Sequence, residues 1–106
     1  MNVVCVGDCG IDHYIQSDER RPGGITSNFA LQARRCFDAA DAIQIIAPLG
    51  DDEDAKIVQR RFERSGIERH FEFLSGSTPI QHIEIESSGE RKFVAYEEGV
   101  LRDFRI

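Results

Sequence analysis

Apolar residues gather in short runs and stripes separated by charged or glycine-rich breaks, and the period of each cluster predicts an element. Val3, Val4, Cys5 and Val6 form a continuous run closed by Gly7, which predicts a buried, central strand over residues 2–6. Phe29, Ala33, Cys36, Phe37 and Ala40 recur at helical spacing after Gly23-Gly24, so a helix starts near residue 26 with Thr26, Ser27 or Asn28 as its cap. A second apolar run over residues 42–47 reads as another buried strand, stopped by Pro48. Ala55, Val58 and Phe62 give the stripe of a second helix that runs to about Ser65 and ends at Gly66. Its acids Asp51, Asp52, Glu53 and Asp54 stand at the N-terminal end, and Arg60, Arg61 and Arg64 toward the other, which complements the helix dipole and needs no metal to explain it. Residues 68–73 predict a third strand. The order strand, helix, strand, helix, strand, joined by right-handed crossovers, makes a parallel α/β sheet.

The period changes after Ser75-Gly76-Ser77-Thr78-Pro79. Gln81, Ile83 and Ile85 alternate with His82, Glu84 and Glu86; Ser87-Ser88-Gly89-Glu90 is a turn, and residues 91–96 return. This predicts a hairpin with one apolar and one polar face, outside the parallel pattern, standing off the body as a flap. His13, Tyr14 and Ile15 predict a further short strand, followed by a polar turn over residues 16–21. Leu101 and Phe104 allow a final helix to begin. A parallel sheet with one unfinished face implies that these residues are the N-terminal part of something larger.

Composition narrows the function. The 106 residues carry 41% hydrophobic and 30% charged side chains, as a folded, water-soluble domain does. A net charge of −6 disfavours a nucleic-acid partner, which needs a basic face. Neither a signal peptide nor a membrane span is present, so a cytoplasmic location and no membrane partner are expected. Cys5, Cys9 and Cys36 make no disulfide framework. Cys5 and Cys36 read as core residues and Cys9 as exposed in a loop; no second pair completes a metal site around Cys5 and Cys9.

Candidate chemistry lies where the first strand ends. Ligands of open α/β sheets collect beyond the C-terminal ends of strands, which singles out Asp8 and Asp12 for hydroxyls or amines. Gly23-Gly24 permits close approach of a ligand to the main chain, and Asn28 adds a donor and an acceptor beside a helix N-terminus. His13, next to Asp12, is a better site candidate than His70 or His82, which read as strand-face histidines.

These features occur in the order Val3-Val4-Cys5-Val6-Gly7-Asp8 with Asp12, Gly23-Gly24-Ile25-Thr26-Ser27-Asn28-Phe29-Ala30, Leu49-Gly50-Asp51-Asp52, Ser65-Gly66-Ile67, Thr78-Pro79 and Gly89-Glu90-Arg91. In that order they resemble the ribokinase-like (PfkB) family of carbohydrate kinases. The resemblance implies an α/β fold, a Rossmann-like parallel sheet with flanking helices plus a small β-sheet lid, with lid strands at about 13–22 and 80–97. It implies that Asp12, Gly23, Gly24 and Asn28 hold sugar hydroxyls, that Arg91 binds substrate or braces the lid, and that Glu98 approaches the substrate. The parent enzyme would use ATP and Mg2+, take a sugar or fructosamine and form a homodimer through the lid. The tail from Tyr96 to Phe104, with Thr78-Pro79-Ile80-Gln81, looks most like the branch acting on fructosamines such as fructoselysine, whose amine Glu97, Glu98 or Asp12 could meet.

The sequence departs from the family pattern at Ile25 and Thr26 after the glycines, at Ala55 in place of glycine, and at Cys36-Phe37 in place of Leu-Gly. The second signature, an Asp-Thr-x-Gly-Ala-Gly-Asp-like stretch that would supply the catalytic base and the nucleotide site, is not among these residues. The expectation is therefore a fragment that binds sugar weakly, holds no cofactor of its own and is inactive alone. Two other readings stand beside it. One is a non-catalytic binding or dimerisation module that uses the flap. The other is a nucleotide-binding protein using Gly23-Gly24, disfavoured because those glycines do not directly follow the first strand.

Overall fold

The computed structural model describes residues 1–105 as two sheets and two α-helices. The body sheet holds β1 (Asn2–Val6), β4 (Ala42–Leu49) and β5 (Glu68–Phe73), all parallel, in the order β1-β4-β5. The lid sheet holds β2 (Gly10–Tyr14), β3 (Glu19–Gly23), β6 (Ile80–Ile85) and β7 (Arg91–Glu97), in the order β3-β2-β6-β7. β2 pairs antiparallel with β3 and parallel with β6, and β6 pairs antiparallel with β7. Helices α1 (Ile25–Cys36) and α2 (Glu53–Phe62) carry the crossovers, and a 3-10 turn spans Gly99–Asp103. The parallel body and the separate lid agree with the fold read from the sequence.

Several elements differ in detail. β4, not β1, is the central body strand, and it holds Ile43, Ile45, Ala47 and Leu49 in the core shared with Ala30, Ala33, Val58 and Phe62. Burial of each large aliphatic chain contributes roughly 2 kcal/mol, so the eight-residue β4 anchors the molecule. β1 is an edge strand among the described residues, and Val4 is 52% exposed. β4 also runs through Pro48 rather than stopping there. Gly7 N–H donates to Ile46 O, so the even-numbered residues of β4 face β1. Pro48 lies beyond the last β1 partner, where its missing N–H leaves no ladder bond unmade.

The stripe of α1 is rotated from the expected one. Ser27, Ala30 and Ala33 are buried, whereas Phe29 is 60% exposed and Cys36 is exposed. The small residues allow the helix to lie close on β4 and β1. Cys9 is fully buried, the reverse of the loop reading, because residues 7–9 pass directly from the body sheet to the lid sheet through the core. The first lid strands are Gly10–Tyr14 and Glu19–Gly23 rather than 13–22, so Asp12 is a strand residue and Gly23 closes a strand. α2 ends at Phe62, and Ser65 and Gly66 lie in the turn beyond it.

Candidate functional site

The lid sheet leans over the C-terminal end of β1 and the start of α1, and the space between them is a cavity of about 600 Å³. Asp8, Gly24, Ile25 and Asn28 line the body side; Gly10, Asp12, Pro79, Gln81, Arg91, Phe93 and Tyr96 come from the lid side. Strand alternation explains the lid set. Asp12 pairs with Gln81 and Gln81 with Tyr96, so these three side chains lie on one face of neighbouring strands.

Asp8 organises the floor. Its carboxylate accepts from Ile25 N–H at 3.3 Å, Thr26 N–H at 3.2 Å and Thr26 Oγ1–H at 3.1 Å. Gly24 is the N-cap position and offers no side chain, so Asp8 caps α1 from another loop in place of Thr26, Ser27 or Asn28. That carboxylate also occupies the helix N-terminus where a phosphate would sit, which argues against the nucleotide-binding reading. Gly24 has φ of 99°, and a Cβ there would stand 2.9 Å from Asp8 O and 3.1 Å from Cys9 Cα. Glycine is required by both conformation and space.

Gly23 serves Asp12. A Cβ on Gly23 would fall 2.5 Å from Asp12 Oδ1, so its absence makes the room that the carboxylate occupies. Burial pushes the Asp12 carboxyl up from its ordinary value, while the Arg91 and Arg61 guanidinium groups pull it back. The Arg91 guanidinium lies 5.7 Å from the centre of the Tyr14 ring, which also takes Arg21 at 5.4 Å, so Arg91 is braced in the lid while it lines the cavity. Asn28 Oδ1 accepts from Arg61 Nη2 at 3.3 Å, and Arg61 Nη1 donates to Pro22 O at 2.9 Å. Arg61 thus ties α2 to the rim, a role its place in a helix-dipole pattern did not reveal.

Of the residues singled out in the sequence, Asp8, Asp12, Gly24, Asn28 and Arg91 line the cavity, and Gly23 backs Asp12. Glu98 stands instead at the start of the 3-10 turn, paired with Arg102 at 3.4 Å. Glu97 points to the other lid face, where it meets His82 at 2.6 Å. Of Glu97, Glu98 and Asp12, Asp12 is therefore the one that lines the cavity. Gln81, Phe93 and Tyr96 were missed as site residues, although alternation along residues 80–96 was the available signal. Burial pushes the Tyr96 hydroxyl up, and Asp8 and Glu98 add to this.

A second set of acids holds the body together. Asp52 caps α2 by accepting from Ala55 N–H at 3.1 Å, and it also accepts from Thr78 N–H at 2.9 Å and Thr78 Oγ1–H at 2.7 Å. Asp51 accepts from Gly76 N–H at 3.1 Å, and Asp54 takes both forks of Arg20 from β3 at 2.9 and 2.6 Å. Each acid has a structural partner. No group of three or more potential metal ligands occurs among the described residues.

The architecture has close counterparts of known structure. The ribokinase of Thermotoga maritima superposes with a TM-score of 0.74 at 18% identity, over 93% of this chain and 36% of that one. This chain carries the N-terminal part of the ribokinase fold. The Giardia lamblia ribokinase gives a TM-score of 0.75 at 20% identity over 92% of this chain and 36% of its own, and a Xylella fastidiosa fructokinase gives 0.69 at 22% over 90% and 33%. The chain thus spans about a third of the length of these ribokinase-fold proteins. No protein-family model and no curated protein sequence matches it. No helix among the described residues is long and apolar enough to cross a membrane.

Proposed function

We propose that this chain is the sugar-binding, N-terminal part of an ATP-dependent carbohydrate kinase acting on a sugar or fructosamine hydroxyl. The observation that carries the reading is the cavity itself. A half-buried carboxylate (Asp12), two amides (Asn28 and Gln81) and a guanidinium (Arg91) surround it with hydroxyl-binding groups, and Phe93 and Tyr96 add aromatic surface. That mixture suits a polyol, which offers many donors and acceptors and an apolar ring face. The structural neighbours support the same class: they include ribokinases, fructokinases and a nucleoside kinase, one fructokinase having bound ATP.

On this reading Asp12 accepts from a sugar hydroxyl, Asn28 and Gln81 each donate and accept, and the lid excludes water above the substrate. The base that takes the hydroxyl proton, and the groups that hold ATP and Mg2+, would come from sequence outside these 106 residues. An amine on the substrate would find Asp12. The test is calorimetric titration of the 106-residue chain with ribose, fructose and fructoselysine, beside ATP consumption by the full gene product. Saturable binding of one of them, lost in Asp12→Asn, with turnover only by the full product, supports the proposal. Absence of both binding and turnover overturns it. The exposed edge of β7, with Phe93, Val94 and Tyr96 uncovered, also favours a homodimer formed through the lid.

A further inference from the structure

The lid face turned away from the sugar cavity carries a second constellation. His13 of β2 and His82 of β6 are register partners, and their Nδ1 atoms lie 2.9 Å apart. The outer nitrogen of each ring meets a carboxylate: His13 Nε2 lies 2.6 Å from Asp18 Oδ1, and His82 Nε2 lies 2.6 Å from Glu97 Oε2. The four side chains form one line, Asp18–His13–His82–Glu97, across the lid.

Donor bookkeeping shows what this line lacks. A carboxylate only accepts, so each Nε2 carries the proton that it donates outward. A neutral imidazole has one N–H, so both Nδ1 atoms are then left with bare lone pairs facing each other. Two lone pairs at 2.9 Å require an electrophile between them. A carboxylate on one ring nitrogen that turns the other inward as a lone pair is also the arrangement that orients histidine toward a metal.

We propose that His13 and His82 form a binding site for one divalent transition-metal ion of the borderline class, Zn2+, Ni2+ or Cu2+, held by the two Nδ1 atoms. At a metal–nitrogen bond of about 2.0–2.1 Å and a tetrahedral angle, the two nitrogens would stand about 3.3 Å apart. The rings therefore need open by less than half an ångström, roughly, which small χ rotations supply. Charge also balances: a dication between two carboxylates gives a neutral cluster, whereas a shared proton leaves it at minus one. The His13 and His82 side chains are 15% and 23% exposed, so water can complete the coordination. Asp18 holds φ of 55° in the turn between β2 and β3, a left-handed conformation that aspartate tolerates, and from it the carboxylate reaches His13. Asp18 and Glu97 are positioning residues; His13 and His82 are the ligands.

The experiment titrates the 106-residue chain carrying Cys36→Ser, which removes the exposed thiol, with Zn2+ and Ni2+, and with Mg2+ as the hard-ion control. Proton NMR follows the ring C–H signals of His13, His70 and His82. The expected result is one equivalent of Zn2+ that shifts His13 and His82 together and leaves His70 unmoved, with no response to Mg2+. His13→Gln/His82→Gln should weaken Zn2+ binding at least tenfold, and Asp18→Asn should weaken it about tenfold through lost orientation of the ring. Signals that respond to pH but not to Zn2+ in the parent chain, with a proton alone filling the gap, overturn the proposal even if the variants fail to fold. So does Zn2+ binding of equal strength in the double variant.

Discussion

Asp12 shows how one carboxylate can be poised for a ligand at a cost to the fold. Burial raises its pKa, so the folded chain favours the protonated acid, and the cost to stability builds as pH rises from the ordinary carboxyl value toward the raised folded one and is complete above it. Asp12→Asn should therefore melt at a higher temperature than the parent at pH 7. The gap should close as pH falls below the ordinary carboxyl range, about pH 4, and thermal melts at both pH values check this. Gly23→Ala tests the same group from behind. A Cβ 2.5 Å from Asp12 Oδ1 must displace that carboxylate, so sugar affinity in the titration above should fall about tenfold or more. The cysteines give a third measurement. Burial pushes the Cys9 thiol up to about 12, the nearby Asp8 adding to this, and Cys36 is exposed. A thiol reagent at pH 8 should modify one cysteine quickly in the native chain, and Cys36→Ser should abolish that fast phase.

Among the elements, α2 carries the most consequential cap. Asp52 satisfies its first turn and also fastens the buried Thr78 to the body. Asp52→Ala should cost roughly 2 kcal/mol, more than a cap alone at about 1 kcal/mol, because two donors of Thr78 lose their acceptor. Urea unfolding measures it. The parallel order was legible because the apolar runs of β1 and β4 and the alternating Phe71 and Phe73 of β5 are separated by helical stripes. The cap of α1 was not, since Asp8 reaches it from the end of another strand and local spacing holds no trace of that. Phe29 and Cys36 misled for a related reason: periodicity locates an apolar face, but α1 turns its small residues inward so that it can lie close to β4. β3 was hidden by charge, since Glu19, Arg20 and Arg21 look like a turn until β2 is there to pair with them. Within the site, Asp12, Gly24 and Asn28 could be read from sequence order. Gln81, Phe93 and Tyr96 required knowing which face of β6 and β7 overhangs the body.

At the scale of the whole molecule, the body and lid are joined by a few fixed points: the short 7–9 link, the fork of Arg20 on Asp54, and the latch of Asp52 on Thr78. The lid leaves β7 as an open edge with Phe93 64% exposed. If that edge pairs two copies, Val94→Lys should shift the chain toward monomer in light scattering while changing stability by no more than about 0.5 kcal/mol. The pairing of β2 with β6 has a kinetic consequence as well. His13 and His82 are 69 positions apart, and both crossovers of the body lie between them in the chain. Closing so long a loop is entropically expensive before the body forms and cheap afterwards. Folding should therefore be sequential in the lid's disfavour: hydrogen exchange should protect β4 early and β6 late, and binding competence should appear with the last phase.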